Sequence, residues 1–224
     1  MKHNTPINNS GWNFKIDAAE PEPIQIAKTN WNYREGAYTP ITNWEFLNEV
    51  DEVTCKRIIN LGKGKWEKGR LNKEDDNSKD IRKSKIAWTT EQWIYDLVFK
   101  YMHAANNNFG WNFKIDAAEP DQIAKYNVGG YYGYHVDGDG FTKYNVPVPE
   151  NNVIHEKTRK LSMTIVLNDD YEGGELQFFG QQILTKEKTG TVIVFPSYMV
   201  HKVNPVTKGT RYSLVAWFVG EPFQ

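Results

Sequence analysis

The residues best able to do chemistry are His135, Asp137, His201, Arg211 and Ser213. His135 and Asp137 form a His-x-Asp pair, and on a β-strand residues two apart point to the same face. An imidazole nitrogen and a carboxylate oxygen can then reach one metal ion, and His201 offers a third donor. Two histidines and one carboxylate leave up to three positions open on an octahedral ion, a set suited to Fe(II) and oxygen chemistry. Zinc held by the same residues and a water is the competing reading. Ten residues after His201, Arg211 opens the run Arg211–Trp217, whose period of two puts Arg211, Ser213, Val215 and Trp217 on one face. A cation inside an apolar strand is costly unless an anion pairs with it. A guanidinium beside a hydroxyl makes a good carboxylate clamp. His3, His103 and His155 read as structural or surface histidines. Asp139 shares the face of Asp137 only if the strand continues, and Gly138 and Gly140 argue that it does not.

These residues need a scaffold, and the second half of the chain reads as strands. The expected segments are Gln122–Val128, Tyr131–Asp137, Leu161–Asn168, Glu175–Phe179, Thr191–Phe195, His201–Val203 and Thr210–Val219. Gly129-Gly130, Gly173-Gly174, Gly190, Pro196 and Gly209 punctuate them. Many short strands with glycine-rich turns predict a mainly β fold, a sandwich or jelly roll. Two helices precede it and should cover one sheet. The first is expected within Trp44–Leu61, with Gly62 as a left-handed cap. The second opens with the capping-box pattern Thr89-x-x-Gln92 and carries Ile94, Leu97, Val98, Tyr101, Met102 and Ala105 at helical spacing, ending at Asn106-Asn107-Asn108. Lys63–Lys85 reads as a charged surface loop, and Phe141–Arg159 as an irregular insert of the kind that can close over a site. Tyr132 is placed facing the site. Gly11–Pro21 recurs unchanged at Gly110–Pro120, and the likeness continues through Gln25–Lys28 against Gln122–Lys125. The first copy stops before any of the chemistry and reads as a structural arm or, more sharply, as a competitor for the second copy's place in the sheet.

Composition removes other classes. With 27 basic and 28 acidic residues, there is no electrostatic case for nucleic acid. A single cysteine, Cys55, excludes a disulfide framework and fits a reducing compartment. No segment approaches the roughly 18 apolar residues of a membrane span, and the N-terminus has no secretory pattern. The expectation is a cytoplasmic protein with no membrane partner.

The stretches QIAKYNVGGYYGYHVD, RKLSMTIVLND, YEGGELQF, GTVIVFPSYMVHKVNPV and GTRYSLVAW resemble, in order and spacing, the Fe(II)- and 2-oxoglutarate-dependent prolyl 4-hydroxylase family. Arg82-Lys-Ser84…Trp88 is also similar to the family's N-terminal part. The resemblance covers roughly residues 40–222. It implies a double-stranded β-helix (jelly roll, cupin-like) core over 41–222, with 1–40 as an N-terminal arm. It implies Fe(II) on His135, Asp137 and His201, and 2-oxoglutarate with its far carboxylate on Arg211. Tyr126, Ser213 and Ser162 or Thr164 would be further cosubstrate donors, and Trp217, with Tyr132, would line the substrate pocket. O₂ would convert the cosubstrate to succinate and CO₂ while a C–H bond is hydroxylated, with ascorbate as a reductant. A prolyl residue in a peptide or protein is the expected substrate, clamped by the loop 63–85 and the insert 141–159. An oxygenase of a free amino acid or other small molecule is the alternative, and a non-catalytic barrel used as a binding module is the alternative of another class. Arg211 stands where collagen-type members have lysine, which is nearer the oxygen-sensing members.

Overall fold

In this computed structural model, residues 43–69, 81–145, 153–180 and 187–224 are described. Their order is β1 (Trp44–Phe46), α1 (Glu52–Leu61), β2 (Glu67–Lys68), β3 (Arg82–Lys83), β4 (Lys85–Thr89), α2 (Gln92–Phe109), β5 (Ala117–Ala118), β6 (Asp121–Tyr126) and β7 (Tyr131–His135). Then follow β8 (Thr158–Val166), β9 (Glu172–Gly173), β10 (Leu176–Phe178), β11 (Val192–Pro196), β12 (His201–Val203), β13 (Val206–Lys208) and β14 (Arg211–Gly220). The first repeat copy and the middle of the expected charged loop lie outside the described residues. Among the described residues no helix is long and apolar enough to cross a membrane.

The strands form two main antiparallel sheets, as the jelly roll requires. The large sheet runs β1-β11-β8-β14-β6-β4-β2, with β5 also on β14, and the small sheet runs β10-β12-β7-β3. Alternation along the central strands separates two apolar clusters. Leu161, Met163, Ile165, Leu214, Ala216 and Phe218 meet α1 and α2 on one side. Ala124, Tyr126, Ile193 and Phe195 meet Leu176, Phe178 and Val203 of the small sheet on the other. The functional space lies between the sheets.

Several local expectations are corrected. Trp44–Leu61 is not one helix: Trp44–Phe46 pairs with β11, and α1 starts after Asp51, whose carboxylate accepts the Thr54 N–H at 2.9 Å. Val53 is exposed rather than part of an apolar stripe. Gly62 is right-handed (φ −76°), and glycine is needed there because a Cβ would lie 2.6 Å from the Trp66 ring. The capping box does not form, since Thr89 belongs to β4 and Glu91 precedes α2 without a side-chain cap bond. The asparagines do not stop α2. Asn106 is buried and bonds both backbone groups of Phe113, and the left-handed Gly110 (φ 81°) ends the helix. His103 is partly buried against Phe99, and burial lowers its pKa. The end of the expected charged loop is β3 and the start of β4.

One buried group opposes the fold. Asp121 is fully buried where β6 meets α2, and neither carboxylate oxygen has a hydrogen-bond partner among the described residues. Burial pushes its pKa well above 3.8, so it is protonated in the fold and ionises on unfolding. Unfolding therefore releases a proton, and this component of stability falls as pH rises from about 4 toward the folded-state pKa. Asp121→Asn should raise the melting temperature by more at pH 7.5 than at pH 4.5. Melting curves of both proteins at the two pH values check this, and an equal change at both would contradict it.

Candidate functional site

Register across the large sheet aligns the inward residues. Phe195 lies opposite Ser162 and Ser162 opposite Trp217, while Thr164 lies opposite Ile193 and Val215. On the other edge of β14, Ser213 pairs with Ala124 and Arg211 with Tyr126. Ser162, Thr164, Ser213, Arg211, Tyr126 and Trp217 thus share one wall.

The facing wall carries the imidazoles. His201 opens β12 directly opposite His135, the last residue of β7. Asp137 lies just beyond the strand, where its N–H and that of Gly138 both donate to the Ser197 carbonyl, at 3.0 and 3.1 Å. The Nε2 atoms of His135 and His201 are each 3.7 Å from one Asp137 carboxylate oxygen. That is too long for hydrogen bonds. The three donor groups lie within 4.8 Å of one another and face a common space. Each histidine has its Nδ1 2.8 Å from the carbonyl two residues earlier, Gly133 for His135 and Met199 for His201. The carbonyls accept the Nδ1 protons, so both Nε2 lone pairs point inward, as metal ligation requires.

Electrostatics favour the same state. Burial and the neighbouring His201 push His135 down to about 4, which leaves a neutral imidazole at physiological pH. Burial raises the Asp137 carboxyl, but His201, His135 and Arg159 outweigh it and hold the group below the usual carboxylate range. Two inward Nε2 lone pairs and one carboxylate fit a divalent cation.

Between Tyr132 and His135 the β7 side spans three residues against two on β12, from His201 to Val203. This bulge puts Tyr132 on the same side as His135, against simple period-two parity. The rings stack at 3.5 Å and 11°. Behind Tyr132 lies Arg82, 4.6 Å from the ring centroid, held by Gln122 at 2.7 Å and Ser84 at 2.8 Å.

Arg211 is 1% exposed, and its Nη1 donates to Ser213 Oγ at 2.9 Å. Tyr126 lies alongside, 5.4 Å from ring centroid to guanidinium. Among the described residues no carboxylate lies within 4 Å of the guanidinium, and its Nε has no partner. The nearby Glu187 carboxyl is pushed up by burial, which disfavours the charge that would neutralise Arg211. A buried guanidinium left this way is the signature of an anion receptor. Ser162 bonds Ser197 at 3.0 Å, beside the triad.

Glu119 and Arg159 also belong to the site. Arg159 forks onto both Glu119 oxygens at 2.6 Å, sends Nη1 to the Asp137 carbonyl at 3.0 Å and covers Trp217 at 4.2 Å. Tyr144, from the insert, donates to Glu119 at 2.7 Å. Arg159 heads an apolar strand as Arg211 does, so the same cost argument points to it. Glu119, before a proline at a strand's start, carries no comparable signal.

Residues 121–219 match the family model of the 2OG-Fe(II) oxygenase superfamily. A PKHD-type hydroxylase of Delftia acidovorans is 39% identical over 104 residues, 44% of this chain and 42% of that protein. Another, from Alteromonas mediterranea, is 39% identical over 103 residues with the same coverage. The chain thus spans less than half the length of these curated relatives. A Pseudomonas putida prolyl-4-hydroxylase superposes with TM-score 0.58 at 19% identity, covering 79% of this chain and 91% of that one. A prolyl hydroxylase from Trichoplax adhaerens, in complex with a hypoxia inducible factor oxygen degradation domain peptide fragment, gives 0.59 at 19%, covering 79% and 83%. These two likenesses establish the shared fold.

The Glu119–Arg159 pair yields a test of coupling. Removing one member leaves the other's charge buried, so Glu119→Ala should cost about 3–5 kcal/mol. The double variant Glu119→Ala/Arg159→Ala should cost clearly less than the sum of the single changes. Urea unfolding of the four proteins measures this, and additive losses would contradict it.

Proposed function

We propose that this chain, whose residues 121–219 match the 2OG-Fe(II) oxygenase superfamily model, is a 2-oxoglutarate-dependent dioxygenase that hydroxylates a prolyl residue in a peptide or protein. The observation that carries the reading is the pairing of two unmet demands on the facing sheets of one fold. A His-Asp-His set offers its lone pairs at one place, and at another a buried guanidinium has no carboxylate partner among the described residues. A dicarboxylate with a keto group answers both.

His135 Nε2, the Asp137 carboxylate and His201 Nε2 would hold Fe(II). When bound, the iron supplies O₂ activation and a Lewis acid for the keto acid, so that 2-oxoglutarate and O₂ yield succinate, CO₂ and a hydroxylated substrate. The chain's own residues do the rest. Arg211 and Ser213 receive the far carboxylate, with the hydroxyls of Tyr126 and Thr164 as further donors on the same wall. Ser162, beside Ser197, serves the metal end of that wall rather than the Arg211 end. Tyr132 fixes the His135 ring by stacking, with Arg82 behind it. Phe178, Phe195 and Val203 exclude water around the imidazoles. Trp217, under the Arg159 guanidinium, and Tyr132 form the substrate side.

The prolyl substrate is supported by the kinship with PKHD-type hydroxylases and by a structural neighbour that holds a peptide. Ascorbate as a reductant belongs to the same reading. The jelly-roll domain would span 41–222, with 1–40 as an arm outside it.

Anaerobic addition of Fe(II) and 2-oxoglutarate should produce a weak visible charge-transfer band. Asp137→Ala should abolish it, and Arg211→Leu should weaken 2-oxoglutarate binding about a hundredfold, as loss of a buried charged partner does. No band from the unaltered chain, or an unchanged band in Asp137→Ala, sinks the enzyme reading. Incubation with proline-containing peptides under ¹⁸O₂ should add one labelled oxygen to a prolyl residue. Labelling of free amino acids alone would move the assignment to a small-molecule oxygenase.

A further inference from the structure

After β14 the chain turns back across the loop that carries Asp137. The Phe223 N–H donates to the Gly140 carbonyl at 2.9 Å, three residues beyond the carboxylate. Gly140 is left-handed (φ 81°), and the Phe223 ring fills the space where its Cβ would stand. Around the ring lie Phe141 at 5.9 Å, Tyr198 at 6.1 Å, Phe113 at 5.4 Å and the Lys160 ammonium, 3.3 Å from its centroid. Glu221 is paired with Lys157, which also reaches Asp116 at 2.9 Å, so the turn is anchored before Phe223.

These neighbours lie outside the core, and Phe141 and Tyr198 are exposed. Phe223 belongs to neither apolar cluster. Gly140 and Phe141 follow Asp137. Tyr198 precedes His201, on the turn whose Ser197 carbonyl holds the Asp137 and Gly138 N–H groups. Lys160 adjoins Arg159, and its carbonyl accepts the Ser197 N–H at 3.0 Å. One aromatic ring therefore packs against both chain segments whose spacing sets the distance between Asp137 and His201.

We propose that Phe223 is a positioning residue for the metal centre, wedging the Asp137 loop against the turn before His201 so that the three ligands converge on one ion. It is not itself one of the three ligands, and the proposal rests on the metal-binding reading above. Outer-shell groups bonded to metal ligands commonly change metal affinity by roughly 10- to 100-fold when altered, and Phe223, acting through the backbone, is placed at the low end of that range.

The test is Mn(II) titration of the full chain, followed by electron paramagnetic resonance, without cosubstrate or turnover. Phe223→Ala should weaken Mn(II) binding about tenfold. Gly140→Ala, which displaces the ring from its other side, should do the same, and Phe223→Leu should stay close to the unaltered chain. Phe99→Ala is the control for general packing loss, because it removes an edge contact with Phe218 at 5.4 Å on the helix side of the sheet. It should lower the melting temperature and leave Mn(II) affinity alone. Unchanged affinity in Phe223→Ala, or a loss no greater than that of Phe99→Ala, overturns the proposal while leaving the enzyme reading intact. Failure of the unaltered chain to bind Mn(II) overturns both.

Discussion

A guanidinium kept almost wholly out of water, with no carboxylate within 4 Å among the described residues, is the constraint around which this domain is arranged. Arg211 begins the ten-residue strand β14, which pairs with β8 on one side and with β6 and β5 on the other. Moving Arg211 to solvent would shift β14 by one register step, and Leu214, Ala216 and Phe218 would leave the helix-side core. The burial of the charge is thus enforced by the same alternation that builds the core. The Ser213 hydroxyl and the Tyr126 ring offset only part of its cost, and an entering anion would offset more.

The candidate metal ligands are placed by a different device. β7 and β12 are short strands on the facing sheet, and the extra residue in β7 departs from regular alternation. The bulge brings Tyr132 to the same side as His135, so one ring braces another. Asp137 needs no strand to reach the imidazoles, because the Ser197 carbonyl and Arg159 fix the backbone beyond β7. Regular pairing sets the anion wall, and irregular, hydrogen-bonded backbone sets the carboxylate.

The division explains what could be read in the sequence. Strands β6, β8, β10, β11, β12 and β14 follow to within a few residues from short runs bounded by glycine-rich turns, although β8 and β11 are buried on both faces. His135, Asp137, His201 and Arg211 follow from residue type and spacing, because cations and imidazoles in apolar strands need a reason. The split between β1 and α1 does not follow, since Trp44 and Phe46 serve either period, and tertiary pairing with β11 decides. Nor does the Glu119–Arg159 fork, whose members stand 40 residues apart with no shared pattern. Phe223 was equally silent, because its value lies in which segments it touches. The first copy of the repeat, Gly11–Pro21, shares every residue with Gly110–Pro120, whose structured form gives Ala117 and Ala118 to β5 and Glu119 to Arg159.

The central claim is that one cavity binds a metal at His135, Asp137 and His201 and a carboxylate at Arg211, spanned by a single small molecule. A crystal structure of the chain with Mn(II) and 2-oxoglutarate, grown without oxygen, tests it most directly. The account predicts one ion on His135 Nε2, the Asp137 carboxylate and His201 Nε2, with the distant carboxylate of the ligand on the Arg211 guanidinium and Ser213 hydroxyl. An ion bound elsewhere, or a ligand whose far carboxylate leaves Arg211 unpaired, would contradict it.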